Sequence, residues 1–345
     1  MKAVFVKGSS AVSVDDIKMP EMTGVGDVLV KMRACGLCGS DLEKIYGEYS
    51  MMSGKLGHEP AGEVVAIGKS VKGFACGDRV FVHHHVPCYS CHYCLHGDYT
   101  MCPAYQSSNI NPCGLAEHFL VPEWNVSRGG LIKLPDNVRF DEASLVEPLA
   151  CCIKAWRKCS LHKGDDIAVL GAGPAGLMHA LSALAFGAGK IFVIDINQFR
   201  LNFAKKYGVR VFNSISHHDF ANNIKLETDG RGVDICVLAT GSMKALMQSF
   251  DLTRRGGKIM LFGVPPKGSQ LSYDVSKLYS SEHSLIPSYA ASEIETNQAL
   301  RLIAEKRVDF KSLITHRFDI SEAAEAVRCA HDANDAMKVI ITTDS

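Results

Sequence analysis

The 345-residue chain carries 37 Lys plus Arg against 37 Asp plus Glu and is 47% hydrophobic, which describes a globular protein long enough for about two domains. This balance provides no overall field for nucleic acid, an anionic membrane or an acidic partner, so the expected partners are small molecules. Thirteen cysteines in so long a chain favour reduced thiols and metal sites over a disulfide scaffold, because disulfide-dense proteins are short and secreted.

Met1 leads into KAVFVKGSS, which has no small-residue cleavage site, so the expected compartment is the cytoplasm. Up to about residue 150 the apolar runs are short and punctuated by glycine, as in DVLVKMRACG, AGEVVAIG and GDRVFVHHH. Val28, Val30 and Met32 alternate with more polar neighbours, the period of strands, and the region reads as β-rich.

Two groups of metal-binding residue types fall within it. CGLCGSD follows one predicted strand and GHEPAGEVV opens another, so Cys38, His58 and Glu59 can converge from loops at strand ends. Thiolate, imidazole and carboxylate suit a catalytic zinc that keeps one position for water or substrate. Singly, these residues read as a small buried hydrophobe, a loop histidine and a surface charge; only their combination points to a metal. The triplet His83 to His85 resembles a metal tract, but successive strand residues point to opposite faces and cannot share one ion.

PCYSCHYCLHGDYTMCP then places Cys88, Cys91, Cys94 and Cys102 on one compact loop. Four soft ligands with no open position suit a structural tetrahedral zinc. An iron–sulfur cluster is the rival, although the ferredoxin run has three residues before its last cysteine where this loop has seven. Cys151 and Cys152 read as core packing.

From about residue 165 strands alternate with helical stretches: DIAVLG, KIFVID, VRVFN, VDICVLAT and KIMLFG. The fold class is therefore α/β, with a doubly wound parallel sheet. The long apolar run IAVLGAGPAGLMHALSALAF is broken by glycines and a proline and reads as buried strand, turn and helix, with no membrane span. GAGPAG sets Gly171, Gly173, Pro174, Ala175 and Gly176 between that strand and helix, where backbone amides can face a pyrophosphate. Asp195 closes the next strand 19 residues after Gly176, where a carboxylate accepts both ribose hydroxyls and repels a 2′-phosphate, favouring NAD over NADP. The plainer reading is a tight turn with Asp195 capping the next helix, and the agreement of strand, helix and spacing weighs against it. Arg200 packs on the adenine or tolerates an added phosphate, which keeps NADP open, or is an exposed helical arginine that touches nothing. Gly263 and Val264 form a turn at the end of a later strand, expected beside the nicotinamide. ETNQALRLIAEK, ITHRFDISEAAEAVRCAHD and MKVIITT add two helices and a strand.

CGLCGSD, GHEPAGEV, GDRV, the four-cysteine loop, EPLA and GAGPAG occur in this order, and the whole chain resembles the zinc-dependent medium-chain alcohol dehydrogenases. It is most similar to their polyol and threonine dehydrogenase branch, because VEPLA places Glu147 where the liver-type enzymes use cysteine. The resemblance implies a GroES-like catalytic domain over 1–152 and 288–345, with its structural zinc lobe at about 86–103, and a Rossmann domain over 153–287. It implies two zincs per chain: one held by Cys38, His58 and either Glu59 or Glu147, the other by the four cysteines. It also implies hydride transfer from a secondary alcohol, a polyol, sugar derivative or hydroxy amino acid, to NAD, with Ser40 passing the proton outward. A homodimer or homotetramer follows from the same analogy.

The chain departs from the branch in three places. Glu43 stands where a histidine is common, so no relay is assigned beyond Ser40; IPSYAAS lacks the arginine phrase of sorbitol dehydrogenases; and Cys113 and His118 replace glycine and tyrosine. Sorbitol itself is therefore not singled out. The competing classes are an NADP-dependent carbonyl oxidoreductase, a nucleotide-binding relative without turnover, and an iron–sulfur carrier.

Overall fold

In the computed structural model, residues 1–8, 10–47 and 54–343 are described. Two compact units arise: Met1–Ala150 together with Ala290–Ser345, and Cys151–Tyr289.

The first unit opens with an antiparallel ribbon of β1 (Lys2–Val6) and β2 (Val12–Asp16). Next come β3 (Val28–Gly36), β4 (Glu59–Ile67), β5 (Arg79–Val82), β6 (His118–Val121) and β7 (Leu131–Lys133). In β3 the expected alternation holds through its middle, where Val30, Met32 and Ala34 are buried and Lys31 and Arg33 are half-exposed. It fails at both ends, where Val28 and Leu29 and then Cys35 and Gly36 are buried in succession.

The second unit holds β8 (Ile167–Leu170), β9 (Ile191–Asp195), β10 (Arg210–Asn213), β11 (Val233–Leu238), β12 (Thr253–Leu261) and β13 (Ser284–Pro287). All its neighbours are parallel, in the order β10-β9-β8-β11-β12-β13. The central strand IAVL is buried at every position, as a parallel strand covered on both faces must be. Ile167, Val169 and Leu170 each contribute roughly 1.5–3 kcal/mol of burial.

The chain then returns to the first unit with β14 (Ile314–Asp319) and β15 (Lys338–Thr342). These complete a seven-stranded sheet in which β15 lies between β14 and β3. Its apolar face joins Val28, Val30, Met32, Val64, Val80, Val339 and Ile341 in one core. Among the described residues no helix is long and apolar enough to cross a membrane.

Candidate active site

Strands β3 and β4 run antiparallel, with Cys35 opposite Pro60 and Gly36 opposite Glu59. The chain leaving β3 therefore lies beside the chain entering β4, and Cys38 and His58 are neighbours by register. One ligand atom each from Cys38, His58 and Glu59 lies within 4.8 Å of the others.

Asp41 stands behind them, fully buried. Its Oδ2 accepts the Cys38 N–H at 3.2 Å, and its Oδ1 accepts the Gly57 N–H at 3.1 Å and lies 3.5 Å from His58 Nδ1. With Nδ1 committed to Asp41, Nε2 is the nitrogen left for a metal, the usual carboxylate–histidine–metal arrangement. Burial alone would raise the Asp41 carboxyl, but His58 and then Lys44 hold it down at about 2. Burial likewise disfavours charge on His58, yet Asp41 and then Cys38 raise it well above its ordinary range.

Lys338 opens β15, which pairs with β3 so that Ile340 faces Gly36; two residues further along that register it reaches the level of Cys38. The buried ammonium donates to Leu37 O at 2.9 Å and Glu59 Oε1 at 2.7 Å, and sits 2.5 Å from Glu59 Oε2. Burial opposes its charge, but Glu59 and Cys38 outweigh burial and raise its pKa. Glu147, on the helix Val146–Lys158, is buried outside the 4.8 Å group, and its charge acts on both Glu59 and Lys338. The S, N and O donors of Cys38, His58 and Glu59 fit a divalent ion. Ser40 is half-buried and Glu43 exposed on the helix Gly39–Tyr46.

The three histidines lie beyond the end of β5, in irregular backbone, and their rings find different neighbours. His83 Nδ1 lies 2.9 Å from Glu293, which the Tyr89 hydroxyl also contacts, while His85 Nδ1 contacts Ser108 O. The His84 ring lies 5.4 Å from that of His58. Burial holds His84 well below the ordinary histidine range and His85 at about 4, with neighbouring positive groups acting in the same direction.

The four cysteines of the lobe also converge. Their sulfurs stand 3.6 Å (Cys91–Cys94 and Cys102–Cys88) and 3.9 Å (Cys88–Cys94) apart. A tetrahedron with Zn–S arms of about 2.3 Å has edges of about 3.8 Å, so the loop matches one ion. A multi-atom iron–sulfur core would hold the sulfurs wider apart. Hydrogen bonds from Ser90 and then Cys91 lower the Cys88 thiol to about 5, ready to ligate. Cys151 and Cys152 are buried.

In the second unit, Gly171, at φ 106°, leads from β8 into the loop, and Gly173 precedes Pro174 and Ala175 at the start of the helix Pro174–Ala185. A Cβ at Gly176 would stand 1.8 Å from Gly171 O, and one at Gly171 would stand 2.9 Å from Ala239 O, so these two glycines serve packing. A Cβ at Gly173 would meet nothing nearer than Arg200 Nη1 at 3.6 Å. It faces a cavity of about 450 Å³ lined by Gly171, Asp195, Arg200 and Thr240, a cradle suited to a pyrophosphate approaching backbone amides. Asp195 Oδ2 accepts the Ala172 N–H at 2.5 Å, and its Oδ1 accepts those of Ile196 and Asn197 at 2.7 and 2.8 Å. The carboxylate thus holds the glycine loop against the end of β9. Gly263 packs so closely on Thr240 that a Cβ would meet its backbone at 2.5 Å, and Val264 beside it is exposed.

Asp41 and Lys338 are additions to the residues singled out in the sequence, and His84 is the one of the three histidines whose ring lies near that of His58. Asp41 had a signal, the capping position three residues after Cys38; Lys338 had none, because its partner Glu59 is 279 residues away.

Residues 24–136 match the alcohol dehydrogenase GroES-like domain and residues 174–305 the zinc-binding dehydrogenase domain. Sorbitol dehydrogenase of Bacillus subtilis is 32% identical over 99% of this chain and 97% of its own length. L-threonine 3-dehydrogenase of Shigella sonnei is 31% identical over the full length of both. The solved alcohol dehydrogenase of Thermus sp. ATN1 superposes with a TM-score of 0.89 at 27% identity, covering 99% of each chain. With a sulfur–nitrogen–oxygen pocket, a four-sulfur lobe and a glycine cradle on the folds that these relatives share, the chain belongs to the zinc-dependent medium-chain alcohol dehydrogenases, oxidoreductases that act on alcohols with zinc and a nicotinamide cofactor.

Proposed function

We propose that this dehydrogenase oxidises the secondary hydroxyl of a polyol, sugar derivative or hydroxy amino acid to a ketone, with NAD as the hydride acceptor. The observation that carries the reading is the convergence of Cys38, His58 and Glu59, in a chain whose relatives are named for sorbitol and threonine. These three residues would hold the catalytic zinc, with Glu147 near enough in charge to exchange with Glu59. Cys88, Cys91, Cys94 and Cys102 would hold the structural one. Zinc in such a donor set supplies a Lewis acid that makes a hydroxyl more acidic. Asp41 orients His58, Lys338 orients Glu59, and Ser40 passes the alcohol proton toward solvent. The carbinol C–H bond gives its two electrons and hydrogen as hydride to the nicotinamide, leaving ketone, NADH and a proton. Metal analysis with a screen of polyols, sugar phosphates, threonine and simple secondary alcohols tests the reading. Two zincs per chain and NAD-linked turnover are expected, and a brown iron protein or a zinc protein inert to all of them would refute it.

Gly171, Gly173, Pro174, Ala175, Gly176, Gly263 and Val264 would shape the cofactor cradle, and Asp195 would select NAD through the adenine ribose. NADP is the second reading, favoured by Arg200, His218 and Lys244 lining the same cavity. Asp195→Ala is expected to weaken NAD at least about tenfold, the effect of 1.4 kcal/mol, while NADP is unchanged or improved. Kd values for both reduced cofactors check this; an unaltered ratio would remove Asp195 from the site. The exposed Val275 and Tyr279 on the helix Val275–Ser281 support a homodimer or homotetramer, and the thirteen cysteines of so long a chain support a cytoplasmic setting.

A further inference from the structure

We infer that His84 is a substrate-recognition residue, whose imidazole hydrogen-bonds a second hydroxyl adjacent to the one oxidised and so makes this site selective for vicinal diols and polyols. The inference rests on the dehydrogenase reading above and names its substrate class.

Of the three consecutive histidines, the outer two are fastened away from the metal pocket, His83 to Glu293 and His85 to Ser108 O. The backbone between them is pinned as well, since Asn125 Nδ2 donates to His84 O at 2.8 Å. Only the middle ring lies against the pocket, 5.4 Å from the ring of His58 and 3.9 Å from that of His85. Its Nδ1 is buried and has no hydrogen-bond partner in the protein. Buried polar atoms almost always have one, and an orphan on a held backbone beside a reaction centre is where a ligand's polar group fits. A neutral imidazole offers one donor and one acceptor, which matches a hydroxyl. A pocket built to hydrogen-bond a substrate hydroxyl discriminates strongly against the analogue lacking it, because its own polar group is then stranded. His84 is not within the Cys38, His58 and Glu59 ligand group, so its part is recognition.

The test compares kcat/KM for 2,3-butanediol and 2-butanol in the zinc-loaded wild type, His84→Phe and His84→Asn, with zinc content and Tm measured for each. The wild type should prefer the diol. His84→Phe should lower kcat/KM for the diol by about 10–100-fold and leave 2-butanol within about threefold, with two zincs retained. His84→Asn, smaller and still polar, should recover part of the diol rate. An equal fall for both alcohols in both variants would reduce His84 to packing, and loss of one zinc would make it a ligand; either result overturns the inference while leaving the dehydrogenase intact. A wild type that binds zinc and NADH but oxidises neither alcohol overturns the dehydrogenase reading and this one with it.

Discussion

Replacing Cys38 by serine is expected to lower turnover at least about 10³-fold while leaving the affinity for NADH within about twofold. The first figure follows from the several kcal/mol of charge stabilisation that a metal ion supplies, since about 4 kcal/mol corresponds to three powers of ten in rate. A serine oxygen is a poor substitute for a soft thiolate, and the lost sulfur also removes negative charge that raises both His58 and Lys338. The second figure follows from location, because Cys38 lies in the first unit and the glycine cradle lies wholly in the second. Zinc per chain should fall from two to one, as the four-cysteine lobe is untouched. Single-turnover kinetics with metal analysis and NADH fluorescence titration check all three quantities. Two zincs per chain with full turnover would remove Cys38 from the metal site.

Lys338→Met should destabilise the first unit by about 3–5 kcal/mol, the cost of leaving one member of a buried ion pair without its partner. Glu59 and Lys338 are both buried, so water cannot compensate the stranded carboxylate. At about 2–4 °C per kcal/mol for a unit of this size, Tm should fall by roughly 6–20 °C. Glu59→Gln in the same chain should return much of the loss, since a neutral amide no longer requires the cation. A double variant no more stable than Lys338→Met alone would show that the lysine acts through its packed stem and its bond to Leu37 O. Thermal unfolding of the two single variants and the double variant makes the comparison.

What could be read in advance was local. GAGPAG and the four cysteines lie within short stretches whose spacing alone defines a loop, and the glycines at 171 and 176 sit where the turn and the helix contact demand them. Cys38 and His58 were legible because strand patterns bracket them, although their meeting depends on a register that places Gly36 against Glu59. Lys338 was not legible: a lysine before VIIT resembles any charged residue at a strand start, and only the pairing of β15 with β3 brings it to Glu59. The alternation of β3 was a partial guide, true through its middle and lost at its two ends, where successive residues are all buried. Which ring of the histidine tract faces His58 was not legible, because it depends on Asn125, Ser108 and Glu293, residues 23 to 210 positions away.

The place of β15 has a consequence for how the protein is made. This strand fills the gap between β14 and β3, and Lys338 reaches Leu37 across 301 residues of chain. At about 5–20 residues per second of synthesis, that interval lasts roughly 15–60 s. The contiguous Cys151–Tyr289 unit can close upon itself while the ribosome is still working. The earlier unit meanwhile waits with the Ala34–Gly36 end of β3 lacking one neighbour and its pocket short of a lysine, so the apparatus for chemistry matures after the apparatus for nucleotide capture.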